Sequence, residues 1–246
     1  MEIRENSKFQ FFLVLLTIFA SGNIFFQLFL NENLQDIFYI LILLVNLFYL
    51  KKKKIIINIT EKLFFFIFAI IIGSHYLNFG NIILVSSIGF LVNIIIAYIN
   101  IKTIKNFSYI YVKIIFYLSL FSLIFYFLYT ILNFKLGLIL DDRSTHNLIY
   151  HYKTEGLGYH RNSGPFWEPA AFGGYIILGL FFILRDSLKI EKKIIITLII
   201  TLITTLSTTS YICLSFVFCI YLLKNNFFNS QNKYFILRIL LILIIF

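Results

Sequence analysis

Long apolar runs separated by short polar segments dominate the chain from end to end. A helix needs about 20 mainly apolar residues to cross the hydrocarbon core of a bilayer, and most of the runs approach that length. The pattern therefore predicts an all-α fold, a polytopic transmembrane helical bundle of about nine spans. The runs lie at about 9–30, 37–50, 63–77, 82–101, 109–132 and 168–184, with two more within 194–223 and a ninth from 234 to 246.

The segment 194–223 is too long for a single span. Thirty residues of helix measure about 45 Å, whereas the hydrocarbon core is about 30 Å thick. The middle of the segment reads Ser207-Thr208-Thr209-Ser210, and neighbouring hydroxyls compete for helical backbone hydrogen bonds. The sequence therefore predicts two short spans joined by a tight polar turn. Because the ninth run stops at Phe246, after thirteen residues, we expect the chain to be incomplete at its C-terminus.

The composition agrees with a membrane protein and excludes other classes. Hydrophobic residues make up 60% of the chain and charged residues 13%, about half the usual charged share. So apolar a chain cannot hide its surface inside one globule, and it is too apolar for disorder. Cys213 and Cys219 lie in one apolar run with neither metal nor disulfide spacing, so they are interpreted as small apolar side chains. We expect a single integral membrane domain over 1–246.

The basic residues indicate an orientation in the membrane. A formal charge of +10 is compatible with nucleic-acid binding, but the basic residues form short groups between apolar runs and no continuous basic face. With the N-terminus in the cytoplasm, fifteen Lys and Arg fall inside and four outside, a strong positive-inside bias. We therefore expect a lipid bilayer as partner, no nucleic acid, and an outward-facing loop at 133–165.

The outer loop holds the largest group of polar side chains. It contains His146, His151 and His160, three acidic residues and Arg143. Polar groups gathered beside the start of a helix at one membrane face favour a functional site. The histidine spacings of five and nine differ from those of zinc pairs, so no metal is predicted. The alternative is a solvated loop whose charges only keep it in water.

The segment from 161 to 174 has the most informative pattern. Pro169 suits the first turn of a helix, which makes Glu168 the N-cap, and a carboxylate there can accept backbone N–H bonds. Ala170 and Gly174 form a small-xxx-small pair that favours close approach of another helix. The pattern predicts a bend that holds Arg161 near Glu168. The alternatives are a simple helix cap and an interfacial cation.

The same segment resembles a known family. Arg161-x-x-Gly164-x-Phe166-x-Glu168-Pro169, at the start of a span after a large outer loop, resembles the O-antigen ligases and the O-antigen and capsule polymerases. The stretch 205–210 resembles the Ser-Arg-Thr-Gly-like turn of that family more weakly. It has Thr208 where the family often has arginine, and the chain ends before the later outer loop that carries the family's functional histidine. Both departures leave open whether this chain is active as it stands.

The resemblance implies a bacterial inner-membrane glycosyltransferase. Such enzymes polymerise or ligate undecaprenyl-diphosphate-linked oligosaccharides onto a glycan or lipid-linked acceptor at the outer face, without metal or cofactor. A guanidinium suits the diphosphate leaving group, which assigns that role to Arg161, and Glu168 or a histidine can accept the acceptor's proton. The candidate substrate-binding residues are Arg143, His160, Asn162, Gly164, Phe166, Trp167, Ser207, Thr208, Thr209 and Ser210.

Two other classes remain open. A flippase or transporter should show charges near mid-membrane and a repeated half, and the sequence has neither. A non-catalytic membrane subunit or sensor would leave the pairing of Arg161 with Glu168 incidental. An Arg161→Lys exchange separates this last class from an enzyme.

Overall fold

A computed structural model describes residues 7–20, 32–53, 81–132, 139–141, 144–147, 150–154 and 160–224, together with scattered positions between 58 and 74. This part of the chain is mostly helical, as the sequence predicts. The helices are α1 (Ser7–Ala20), α2 (Glu32–Lys53), α3 (Asn81–Thr103), α4 (Phe107–Leu132), α5 (Pro169–Arg185), α6 (Lys192–Thr204) and α7 (Thr208–Lys224). Four strands precede α5, namely β1 (Ile139–Asp141), β2 (Ser144–Asn147), β3 (Tyr150–Thr154) and β4 (His160–Gly164).

The structure does not support nine spans. Within the described residues, only α4 is both long and apolar enough to cross a membrane. Helices α5, α6 and α7 have 17, 13 and 17 residues, so each rises only about 20–25 Å at 1.5 Å per residue, short of a hydrocarbon core of about 30 Å. Most of the predicted third span and all of the ninth run lie outside the described residues.

The first of two compact units comprises 1–21 and 29–107. Helices α1, α2 and α3 pack there around Ile42 and Ile96, which are almost fully buried. Polar pairs join these helices: the Asn100 amide donates to the Thr17 hydroxyl over 2.7 Å. Such interhelical hydrogen bonds are typical of helices packed in an apolar environment.

A charged cluster lies at the C-terminal end of α3. The backbone N–H of Asn58 donates to the Glu61 carboxylate over 2.8 Å, which is one half of a capping box. Lys102 forms an ion pair with Glu61, and the Tyr98 hydroxyl donates to the same carboxylate. The Lys102 hydrogen bond is the main cause that lowers the pKa of Glu61 to about 2, with further donation from Asn58 and Tyr98.

The second unit comprises 22–28 and 108–246 and contains the strands. The strands form an antiparallel meander in the order β1-β2-β3-β4. In its register His146 opposes His151, and Lys153 opposes Arg161. Tyr150 of β3 is buried and its ring stacks on Phe125 of α4, with centroids 5.2 Å apart. The sequence did not predict this sheet within the 133–165 loop, because its short polar strands lack an alternating apolar pattern.

The predicted break within 194–223 is confirmed as two helices joined by a short turn. Helix α6 ends at Thr204 and α7 begins at Thr208. Leu206, between them, has a φ of 46°, a left-handed conformation that reverses the chain. Ser207 is the N-cap of α7, since its hydroxyl accepts from the Ser210 N–H over 3.3 Å. The turn therefore falls at 205–207, and the last three of the four hydroxyl residues belong to the first turn of α7.

Helix α5 packs against α7 at a different small residue from the predicted one. A Cβ added to Gly173 would collide with the Ser210 hydroxyl and lie 2.7 Å from the Ser210 Cβ. Gly174 is exposed, and a Cβ added there would meet nothing within 4 Å. The prediction that the Ala170–Gly174 pair makes the close approach is therefore wrong. The contact lies one residue earlier on the helix, where the partner side chain is small.

Candidate functional site

The candidate site is built on the connection from β4 to α5. Gly164 ends β4 with a φ of 56°, and a Cβ there would lie 2.5 Å from the ring of Phe172. Both observations require glycine. The N–H of Phe166 donates to the Ser163 carbonyl over 3.1 Å, which tightens the turn around Pro165. Gly164 is buried, so in this structure its role is to bend the backbone toward α5.

Glu168 occupies the predicted N-cap position but does not cap through its side chain. Its backbone is extended, with φ −138° and ψ 147°, and Pro169 follows as the first helical residue. The carboxylate accepts no hydrogen bond from the N–H groups of α5, so the prediction that it does is wrong. The Glu168 carbonyl accepts from the Phe172 N–H over 3.2 Å. The side chain is half-buried at the positive end of the helix dipole.

Asn162 links three elements beneath the site. Its Oδ1 accepts from the Ser122 hydroxyl of α4 over 2.6 Å and from the Gly164 N–H over 2.9 Å. Its Nδ2 donates to the Thr204 hydroxyl of α6 over 3.1 Å. The side chain is 0% exposed. Such a residue holds β4 in place, and we assign it a positioning role where the sequence suggested substrate binding.

Arg161, the residue before Asn162, is oriented by the α6–α7 turn. Its Nε donates to the Thr205 carbonyl over 3.2 Å. Thr205 is the C-cap of α6, and the carbonyls at a helix C-terminus carry partial negative charge that attracts a cation. Arg161 as a residue is half-buried. The structure thereby couples β4 to the turn after α6.

His160 lies at the start of β4 against α4. Its backbone carbonyl accepts from the Tyr126 hydroxyl over 2.8 Å. Its ring meets the Tyr129 ring edge-on, with centroids 4.7 Å apart. These contacts place His160 against two tyrosines of α4, whereas Arg161 contacts the turn after α6.

The two predicted aromatic residues differ in accessibility. Phe166 is 0% exposed and stacks on Tyr175, with ring centroids 4.3 Å apart and 12° between planes. It also contacts Phe172. Trp167 is 46% exposed. A ring that stacks on a sugar must be accessible, so Trp167 keeps this candidate role, and the contacts of Phe166 make it part of the core in this structure.

The four hydroxyl residues 207–210 also divide into a buried pair and an exposed pair. Ser207 and Ser210 are buried, and both take part in the packing or capping of α7. Thr208 and Thr209 are exposed at the N-terminus of α7. Exposed hydroxyls at a helix N-terminus can contact an anion, whereas the buried pair supports the turn.

The structure brings some of the predicted residues together and leaves others apart. Arg161 meets the turn that begins the hydroxyl run. The ion pairs in which both partners are described residues are Lys102–Glu61, Arg185–Asp186 and Lys193–Glu191, so none of them joins Arg161 to Glu168. Arg143 and the side chains of His146 and His151 lie outside the described residues. No three potential metal ligands cluster within the described part of the chain.

Sequence reasoning missed the residues that support the site from the helices. Ser122 and Thr204 hold Asn162, Tyr126 holds β4, and the Thr205 carbonyl holds Arg161. A weak signal existed for Ser122, because it is one of the few polar residues of the predicted span 109–132. No local pattern indicates which residue it contacts 40 positions later.

Comparison with known proteins adds no relative: no family model, no curated protein and no solved structure matches the chain. The fold and the site define a class in structural terms. It is a mostly helical protein in which a small antiparallel sheet leads through a glycine turn into a helix, and in which an arginine of the last strand is bonded to a helix–helix turn.

Proposed function

We propose that the chain is a multi-pass protein of the bacterial cytoplasmic membrane, with its N-terminus in the cytoplasm, and that it acts as a glycosyltransferase at the outer face. It polymerises or ligates oligosaccharide units carried on undecaprenyl diphosphate, in O-antigen, capsule or exopolysaccharide biosynthesis. The observation that carries the proposal is the oriented Arg161 guanidinium beside the α6–α7 turn.

The distribution of polarity around α4 supports the membrane location. The buried side of this helix includes two hydroxyls, Ser119 and Ser122. The exposed side is apolar and includes Tyr117, Leu120, Phe121, Ile124, Phe127 and Ile131. A water-soluble helix has the opposite arrangement, with its polar face outward. An apolar exterior around a more polar interior is expected where the solvent is lipid.

Helices shorter than the bilayer can still belong to a membrane protein. Discontinuous or paired short helices are tolerated at membrane depth where their polar ends are buried in protein or line a cavity. The ends of α6 and α7 meet this condition, because Thr205 and Ser207 are buried. The hydrogen bond from Arg161 to the Thr205 carbonyl shows that the guanidinium lies beside this α6–α7 turn.

The guanidinium supports phosphate chemistry. Outside the cytoplasm no nucleotide sugar supplies an activated donor, so the leaving group must already be attached to the sugar, and a lipid diphosphate meets this need. Glycosyl transfer breaks the bond between the anomeric carbon and the diphosphate oxygen, and negative charge grows on that oxygen. A planar guanidinium pairs with two phosphate oxygens at once. Arg161 is the residue assigned to this charge.

The forming glycosidic bond needs a base for the acceptor hydroxyl. Glu168 stands at the start of α5, seven residues after Arg161, and its carboxylate is not engaged by the helix N–H groups. It is therefore assigned as the proton acceptor. Trp167, exposed beside it, is assigned as a platform for a sugar ring. Thr208 and Thr209 are assigned to the phosphate side of the site.

The test is Arg161→Lys in cells that lack the native gene copy. Lysine keeps the charge but loses the bidentate geometry, so we expect shortened or absent polymer at normal protein abundance, seen as glycan chain length on a gel. The control is Lys193→Arg, the reverse exchange at an exposed side chain far along the sequence from the site. If cells with Arg161→Lys make full-length polymer, the enzymatic role is rejected and the chain is better interpreted as a non-catalytic membrane subunit.

A further inference from the structure

The exposed hydrophobic surfaces of α4 and α6 differ in height. On α4, exposed large hydrophobic side chains run from Tyr109 to Leu132, about 35 Å at 1.5 Å per residue. The only charged residue of α4, Lys113, lies one turn from the start of this surface. On α6 and the turn after it, such side chains run only from Ile196 to Leu206, about 15 Å. A hydrocarbon core is about 30 Å thick, so α4 matches an ordinary bilayer and α6 does not.

Hydrogen bonds fix the two helices relative to each other. Arg185, shortly before α6, donates to the hydroxyl of Ser108 at the start of α4 over 3.4 Å, so both helices begin at the same end. Asn162 accepts from Ser122 of α4 over 2.6 Å and donates to Thr204 of α6 over 3.1 Å, which sets Ser122 and Thr204 at one level. Helix α6 ends there, whereas α4 continues for about 15 Å. This outer part of α4 has exposed hydrophobic side chains, namely Ile124, Phe127, Ile131 and Leu132.

The groups beside the end of α6 are polar or charged. Thr208 and Thr209 are exposed, and the guanidinium of Arg161 donates to the Thr205 carbonyl. In a bilayer of uniform thickness these groups would lie about 15 Å below the end of α4, within the hydrocarbon. A charged side chain is costly there, whereas a bilayer thins beside a short hydrophobic surface at a modest cost per ångström. The arrangement therefore favours a thinner bilayer over immersion of these groups.

We infer that the outer leaflet is thinned beside the α6–α7 turn, so that lipid headgroups lie at the level of Thr208 and Thr209 and acyl chains cover the exposed face of α6. Along α4 the same unit borders a bilayer of full thickness. The inference rests on the membrane location proposed above and extends that proposal to the surroundings of the site. A diphosphate carried at headgroup level then reaches the level of Arg161 at the bilayer surface.

The experiment compares the depths of two matched positions by tryptophan fluorescence. Phe121 and Ile203 directly precede Ser122 and Thr204, and they are 50% and 56% exposed. Phe121→Trp and Ile203→Trp are each made in Trp167→Phe, which removes the only native tryptophan. The full chain is reconstituted in phosphatidylcholine vesicles whose acyl chains carry quenching bromine atoms either near the headgroup or near the chain end. We expect the deep bromine to quench Phe121→Trp more strongly, and the shallow bromine to quench Ile203→Trp more strongly.

The unsubstituted chain gives an independent measurement. Gly173 lies against Ser210, so Trp167 is close to the level of the turn, and the shallow bromine should quench it more strongly. In vesicles with shorter acyl chains the difference between Phe121→Trp and Ile203→Trp should shrink, because the whole bilayer then approaches the height of α6.

Several results would overturn the inference. Identical quenching profiles for Phe121→Trp and Ile203→Trp would show a uniform bilayer, and so would stronger quenching of Trp167 by the deep bromine. Quenching of Phe121→Trp alone would show that protein rather than lipid covers α6. If neither lipid quenches either variant, the membrane location fails as well. No glycan takes part in these measurements, so glycosyl transfer keeps its own test.

Discussion

Replacing Gly173 by alanine tests whether α5 and α7 meet where the structure places them. The new Cβ would collide with the Ser210 hydroxyl and lie 2.7 Å from the Ser210 Cβ, so the two helices must move apart. Overpacking of this kind costs about 1–3 kcal/mol. Alanine also favours the helix over glycine by about 1 kcal/mol, which partly offsets the clash.

Gly174→Ala supplies the matched control. The neighbouring glycine belongs to the same helix, and a Cβ there meets nothing within 4 Å. Both variants gain the same helix propensity, so the difference between their free energies of unfolding isolates the steric effect. We expect Gly173→Ala to be less stable than Gly174→Ala by about 1–3 kcal/mol.

The assay is unfolding of the full chain in detergent by increasing amounts of sodium dodecyl sulfate. The chain has one tryptophan, Trp167, directly before α5, so its fluorescence reports on the N-terminal end of the packed helix. Adding Ser210→Gly to Gly173→Ala removes the clashing atoms and should show a coupling energy of roughly 0.5–3 kcal/mol. Equal stability of the two alanine variants, or no coupling with Ser210, would refute the close approach at this position.

Three further changes probe side chains whose contacts support the fold. Asn162→Leu leaves a buried hydroxyl and a buried backbone N–H without an acceptor, so the free energy of unfolding should fall by roughly 2–5 kcal/mol in the same titration, and a fall below about 1 kcal/mol contradicts the network. Phe166→Ala should cost about 3–5 kcal/mol, whereas Trp167→Ala, at an exposed position, should cost much less, and equal losses contradict their different burial. The pKa of Glu61 is lowered to about 2 from its usual 4.5, so its stabilisation is complete above pH 4.5 and is lost as the pH falls toward 2. Thermal unfolding should therefore depend less on pH in that window for Glu61→Gln than for the native chain, and identical pH profiles would contradict the ion pair with Lys102.

The helices were predictable because their signal is local. Apolar runs, a proline at the first helical position and a run of hydroxyls all act on their own segment, and the turn after Thr204 and the start of α5 at Pro169 follow from them. The number of complete spans was not predictable in the same way. Hydropathy measures how apolar a run is, but it does not determine where the helix within that run begins and ends.

The sheet and the contacts of the site depend on distant partners. Strand β4 is polar, and its pairing with β3 and its bonds to Ser122 and Thr204 join residues far apart in sequence. A single sequence contains no record of such pairs. The packing of Gly173 was missed for a related reason: α5 has few polar positions to identify its inner face, so two adjacent glycines were indistinguishable until Ser210 was placed beside one of them.

The bond between Arg161 and Thr205 changes how the two sequence motifs relate to each other. Considered separately, one is an arginine at the end of an outer loop and the other is a run of hydroxyls between two helices. In the folded chain the guanidinium donates to the carbonyl of Thr205, the C-cap of α6, while the exposed Thr208 and Thr209 lie at the first N–H groups of α7. A helix C-terminus attracts a cation, and a helix N-terminus attracts an anion. The single turn between α6 and α7 therefore orients the cation and presents donors for a negatively charged group beside it, although no arginine lies within the turn itself. Shifting the turn by one residue along the chain would change both the orientation of Arg161 and the position of the hydroxyls of Thr208 and Thr209. The glycosyltransferase proposal therefore depends on the turn as much as on Arg161.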